Sequence, residues 1–185
     1  MRPTQPADRD AVRRVVGEAF GGDRVPRLVD ALVAAGDVLV GLVAELDGAV
    51  VGYVQLNRSW VDARERLVEV AVLSPLATEP RHQRRGIGTA LVAAAVATAR
   101  DRREPAVFLE GDPDFYGPRG FVAGGSLGFG RPSPRIPEPA FQVVVLDVDL
   151  PRGPLVYCQT FWTHDCVGLR DPRLAEVEAH LPACD

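Results

Sequence analysis

The sequence predicts an α+β fold: two helices, a hairpin sheet, a central helix and then more strands. Three observations carry that expectation. Apolar residues recur at helical spacing near the start (Val12, Val15, Val16, Phe20). Two apolar runs then flank Asp47-Gly48, a dipeptide that favours a tight hairpin turn. An Ala-rich helical stretch follows Gly88, and after it come the apolar segments AVFLE and FQVVVLDVDL. No internal repeat is seen, and the strands before the glycine-containing loop look antiparallel rather than like the parallel βαβ start of a dinucleotide-binding fold.

Taken in order, PADRDAVRRVVGEAF reads as a first helix with Asp8 at its N-cap, and GGDRVPRLVDALVAAG as a second that stops at Gly36. VLVGLVAELDGAVVGYVQLNRSWV supplies two antiparallel strands. LVEVAVLSPLA is a third strand with Pro75 inside it; proline cannot donate to a ladder, so Ser74-Pro75 marks a bulge or a place where pairing ends. Gly88 to Arg103 is helical, AVFLE is a buried strand, and GDPDFYGPRGF is a turn-rich connection. GFGRPSPRIPEP is a surface loop before the late strand. The tail after Pro151 combines an aromatic segment with a short helix that begins near Asp171-Pro172.

A length of 185 residues suits one domain with a real core, read as a core over 1–150 and an extension over 151–185 that packs on it. No apolar run reaches the ~18 residues a membrane span needs. The opening MRPTQPADRD lacks the apolar centre of a leader, and Cys158, Cys166 and Cys184 read as thiols, so a cytoplasmic protein is expected. A net charge of −4 argues against nucleic-acid binding, including a grip on RNA by RHQRRG and GRPSPRIP. All 21 basic residues are Arg, which excludes a lysine Schiff base and the lysine of a P-loop.

RHQRRGIGTAL, Arg81 to Leu91, stands between a strand and a helix. Glycines there let the chain approach a ligand closely, and the free N–H groups of a helix start suit a phosphate. A dinucleotide fingerprint needs a small third residue where Leu91 stands. On the loop alone, glycines that merely turn the chain are the competing reading.

QRRGIGTAL resembles the pyrophosphate-binding loop, Q/R-x-x-G-x-G/A, of the GNAT superfamily of acyl-CoA N-acyltransferases. LSPLATEPRHQRRGIG is similar to that superfamily's strand, bulge, loop and helix segment, and DFYGPRGFV to its Tyr-x-x-x-Gly-Phe element. The Gly-Asp-Pro lead-in resembles a bacterial branch of acetyltransferases. The order agrees from about Asp8 to Leu150; the rest of the chain fits only that branch.

The resemblance implies a mixed, mostly antiparallel central sheet with helices on both faces, and a strand splayed at a bulge to leave an acyl-CoA slot. Leu76, Ala77 and Thr78 would then meet the pantetheine arm through their backbone, and Arg84, Arg85, Gly86, Ile87, Gly88 and Thr89 would hold the pyrophosphate. Acetyl-CoA is the implied cosubstrate, with no metal. Tyr116, four residues before Gly120, takes the position of the general acid; packing against Phe121 is the plainer reading of the same ring. Asp112 stands where relatives place Asn.

The general base is Glu69 if one bulge residue turns it toward the slot. Without that shift Glu69 is a solvated strand carboxylate, and Glu110 or a water chain takes its place. His82 is expected in solvent, and His164, Asp165 and Cys166 in a packed tail rather than a nucleophile set. The implied activity is direct acetylation of a primary amine on a small molecule or peptide; a non-catalytic acyl-CoA-binding module is the alternative. A homodimer is compatible with the aromatic tail.

Overall fold

The computed structural model describes residues 1–170 and 173–181. Its elements begin with β1 (Arg2–Pro3), α1 (Arg9–Phe20), α2 (Arg24–Ala35), β2 (Val38–Leu46), β3 (Ala49–Asp62) and β4 (Leu67–Thr78). They continue with α3 (Ile87–Asp101), β5 (Ala106–Glu110), α4 (Pro113–Tyr116), β6 (Val122–Ala123) and β7 (Phe141–Val145). β8 (Leu155–Tyr157), α5 (Gln159–Thr163) and α6 (Arg173–Glu178) follow. Asp171-Pro172, where the last helix is expected to begin, and Cys184 lie outside the described residues.

Among the described residues eight strands form one open sheet in the order β1-β2-β3-β4-β5-β7-β6, with β8 added to β3. Every pairing is antiparallel except β4 with β5. The β2–β3 hairpin turns at Asp47 and Gly48, both at positive φ (50° and 79°), as a tight primed turn requires. α1 and α2 cover one face, where Val12, Val15 and Val16 pack near Tyr53 and Ala77, and Leu28 and Leu32 near Val70, Val72 and Phe108. α3 covers the other, setting Leu91, Val92 and Ala95 against Leu56, Ala71, Leu73 and Val107. Asp8 precedes α1, but its carboxylate accepts from the Gln5 N–H (2.7 Å) and pairs with Arg2 rather than capping the helix.

Two irregularities open the sheet. Val54 faces Leu76 and Leu56 faces Leu73, so β4 runs one residue longer than β3 between them, at the cis-linked Ser74-Pro75. β4 meets β5 only at Ala71↔Val107 and Val72↔Phe108. Beyond those pairs the two strands part, and β5 continues alongside β7 as far as Glu110. The proline and the extra residue thus leave a gap between two parallel strands.

An unusual polar strip runs beneath α1 and α2. On β3 the inward residues Tyr53, Gln55 and Asn57 are all buried, where alternation would place core hydrophobics. The Tyr53 hydroxyl donates to Gln55 Oε1, Gln55 Nε2 to Asn57 Oδ1 (2.5 Å), and Asn57 Nδ2 to the Ser74 carbonyl (2.6 Å). The tail closes the same face: β8 pairs Tyr157 with Ser59, and Leu155, Tyr157, Phe161 and Val167 enter the core.

Candidate active site

A groove of about 600 Å³ lies where β4 runs into α3, lined by Leu76, Thr78, Gly86, Gly88, Thr89 and Arg84, with Phe115 and Arg119 opposite. Gly86 is the N-cap of α3 at φ 82°, a left-handed conformation that glycine adopts without strain. Arg84 is also left-handed, at φ 58°. The first amides of α3 have no helical acceptor behind them, so they and the dipole present positive charge to the groove. Arg119 donates to Thr89 Oγ1 (2.5 Å) and lies 3.7 Å from the centre of the Phe115 ring. A groove with helix-start amides and two arginines suits a phosphorylated ligand.

The expected cofactor residues divide within this arrangement. Leu76, Thr78, Arg84, Gly86, Gly88 and Thr89 come together around the groove. Ala77 turns its methyl into the α1 side of the core, Ile87 packs toward the α3 side, and Arg85 is exposed. His82 is not solvated as expected. Its side chain is only 15 % exposed, it lines the groove, and Nε2 lies 3.7 Å from Glu79 Oε2.

A smaller cleft of about 250 Å³ lies across the bulge, lined by Leu28, Val72, Leu73, Ser74, Pro75 and Glu110, with Tyr157, Phe161 and Arg24. Glu110 ends β5 beside the gap. Its Oε1 accepts from the Tyr157 hydroxyl (2.8 Å) and the Gly168 N–H (3.4 Å). Burial raises the Glu110 pKa above the ordinary carboxylate range, and these two hydrogen bonds oppose the rise.

Glu69 does not reach the cleft. The bulge follows it in the chain, so it keeps the alternation of Ala71 and Leu73 on the α3 side. It is half-exposed and accepts from Arg58 Nε at 2.9 Å. From the Val72↔Phe108 pairing, Glu69 and Glu110 lie about five residues apart along parallel strands, roughly 16 Å.

Tyr116 is largely buried, edge-on to Phe115 (4.8 Å between ring centres) and Phe121 (5.7 Å). Burial pushes its phenol up to about 12. A Cβ on Gly111 would collide with Tyr116 Cε2, so glycine is required there for the ring to sit where it does. Asp112 caps α4 by accepting from the Asp114 N–H (2.9 Å). His164, Asp165 and Cys166 do not converge: Asp165 pairs with Arg24 (2.9 Å) and Cys166 Sγ donates to the His164 carbonyl (3.3 Å). Among the described residues no group of three or more His, Cys, Asp or Glu is placed to hold a metal, and no helix is long and apolar enough to cross a membrane.

Residues 12–121 match the model of the acetyltransferase (GNAT) family. The chain belongs to that family. The GNAT relatives include an uncharacterised N-acetyltransferase of Escherichia coli, YjhQ, 28 % identical over 138 residues, which are 73 % of this chain and 76 % of that protein. The GNAT family N-acetyltransferase YhbS of E. coli, solved in complex with CoA, superposes with a TM-score of 0.79 at 27 % identity over 86 % of this chain and 89 % of its own. A GNAT family acetyltransferase of Brucella melitensis, solved with acetyl-CoA, gives a TM-score of 0.73 at 27 % identity, covering 86 % and 96 % of the two chains.

Sequence reading of this GNAT chain missed three contributors. Arg119 lies within the Tyr-x-x-x-Gly-Phe element, and only folding returns it to Thr89. Tyr157 is 47 residues from Glu110 and has no motif of its own. Glu79, buried behind the GNAT loop, pairs with Arg14 from α1 and with Arg81 (2.8 Å), and those cations lower its pKa. Its only sequence signal is a carboxylate directly before Pro80 in an arginine-rich turn.

Proposed function

We propose that this protein is an acetyl-CoA-dependent N-acetyltransferase that moves the acetyl group directly to a primary amine. The observation that carries the reading is the placement of Glu110. A largely buried carboxylate of raised pKa stands at the mouth of the β4–β5 gap, across the bulge from a groove built for phosphates. Solved relatives hold CoA or acetyl-CoA, and the donor set of the groove fits the same ligand.

Acetyl-CoA supplies an activated acyl carbon as a thioester. The α3 amides, Arg84 and Arg119 bind its phosphates. Leu76 and Thr78, on a strand edge left unpaired by the splay, offer backbone groups to an extended pantetheine arm. Glu110 takes one proton from the ammonium form, which frees the nitrogen lone pair to bond to the acyl carbon; the second proton leaves the nitrogen for solvent as the tetrahedral adduct collapses. Tyr116 donates a proton to the sulfur as the carbon–sulfur bond breaks. Glu110 then releases its proton to solvent and Tyr116 regains one, so the products are an amide and a free thiol. An alkylamine of pKa ~10.4 is almost entirely protonated at neutral pH, which is why a base is needed.

Free-thiol release from acetyl-CoA, measured across a panel of amines, tests the reading. Release with at least one amine is expected. Tight acetyl-CoA binding without release on any amine would instead identify a binding module.

A further inference from the structure

Resting on the acetyltransferase reading, we propose that the acceptor is a small primary amine whose far end is anionic, bearing a carboxylate or a phosphate. The acceptor nitrogen must sit in the 250 Å³ cleft, because that cleft alone among those described contains both the bulge residues Leu73 to Pro75 and Glu110. This volume lies below the usual ~300–1,000 Å³ of a ligand pocket, so the molecule is small. Its floor is apolar: Leu28, Val72, Pro75 and Phe161.

The rim is cationic. Arg24, the first residue of α2, and Arg173, the first of α6, line it. Arg170 and Arg135 stand just behind, both donating to the Val167 carbonyl (3.0 and 3.2 Å). Burial first, and then the like charges of Arg135 and Arg24, lower the pKa of Arg170, so Arg170 lies close enough to each of the other two guanidinium groups to be repelled. Two carboxylates face the four arginines. Asp165 is shared between Arg24 and Arg170, and Glu110 is held toward its neutral form by burial. Four positive charges against two carboxylates leave an excess of two, in a chain whose net charge is −4. Such a rim favours an anion and disfavours a second cation.

Asp112, Asp114 and Glu176 line the neighbouring pocket on the far side of Glu110. That pocket contains no residue of β4, so it does not touch the gap where acyl transfer must occur.

A charge series at constant size tests this: β-alanine, propylamine and diaminopropane, with phosphoethanolamine against ethanolamine. Two readouts are taken, thiol release from acetyl-CoA and equilibrium binding to the CoA-loaded protein. The anionic members are expected to exceed their neutral partners at least tenfold in kcat/KM and in affinity, with β-alanine against phosphoethanolamine separating carboxylate from phosphate. Arg173 forms no ion pair among the described residues, so Arg173→Gln tests charge without disturbing the fold; it is expected to narrow the β-alanine advantage severalfold. Arg24→Gln should do the same. Neutral amines or diaminopropane binding as well as the anionic members, or no binding by the anionic members, overturns the proposal even if some amine is acetylated. Preferential binding of the anions without thiol release would retain the charge preference and sink the acetyltransferase reading.

Discussion

Burial raises the pKa of both Tyr116 and Glu110, with different consequences for each. At about 12 the Tyr116 phenol keeps its proton throughout the neutral range, as a donor to sulfur must. Tyr116→Phe is expected to lower kcat about 100-fold while leaving the Kd for acetyl-CoA unchanged, as stopped-flow and calorimetry would report. In the proposed reaction Glu110 serves as the base, which it can do only when ionised. Activity should therefore rise with pH through a limb displaced above the ordinary carboxylate range, and Glu110→Gln should remove that limb. The same shift has a stability consequence. Above the unfolded carboxylate pKa the folded state binds more protons than the unfolded state, so stability falls as pH rises toward the raised value. Glu110→Gln should thus be less active but melt at a higher temperature at pH ~8, because a neutral amide escapes the desolvation penalty. Equal melting temperatures would contradict the raised pKa. Glu69→Gln, in an exposed pair with Arg58, should leave turnover unchanged.

At the scale of elements, β4 works because it is defective as a strand. Its extra residue at Ser74-Pro75 frees the backbone beyond Val72 from β5, and the polar strip on β3 ties off the carbonyl that this leaves behind. Asn57→Leu would leave the Ser74 carbonyl and the Gln55 amide without partners inside the core. We expect a loss of about 1–3 kcal/mol in urea unfolding, the penalty for unsatisfied buried polar groups. In the α3 loop, Gly86→Val forces a β-branched residue to φ 82° and should weaken CoA binding by about tenfold through ~1–2 kcal/mol of backbone strain. No close atom would meet a Cβ at Gly86, so the effect there is conformational rather than steric. Gly111→Ala is the opposite case: the new methyl collides with the Tyr116 ring, and turnover should fall with little change in CoA affinity.

For the whole molecule, the segment after Leu150 is part of the core and of the cleft. β8 extends the sheet along β3, Phe161 and Val167 are buried, and Tyr157 reaches Glu110. A chain ending at Leu150 should lose the cooperative thermal transition that calorimetry finds for the full chain; a retained transition would show the first 150 residues fold independently. The chain's acidic net charge and its arginine-rich cleft rim are compatible because charge is placed by folding, not by composition.

Local pattern was enough for the architecture. Helical spacing before Phe20, the Asp47-Gly48 turn and Pro75 in an apolar strand are short-range signals, and each arises from backbone sterics or from one element's periodicity. The glycine loop was legible for the same reason, since a left-handed residue before a helix writes itself as glycine. The base and the cleft were not legible in this way. Whether Glu69 or Glu110 meets the gap depends on which residues follow the bulge and on where two parallel strands stop pairing, and a shift of one residue reverses a side chain's face. Tyr157, Arg119 and the Arg24, Arg135 and Arg170 cluster come from segments far apart in the chain, with no spacing to announce them. The sequence by itself determined the elements and the glycine loop that starts α3, because those depend on neighbours along the chain. The tertiary structure alone decided which carboxylate lies beside the β4–β5 gap and which charges surround it, because those depend on neighbours in space.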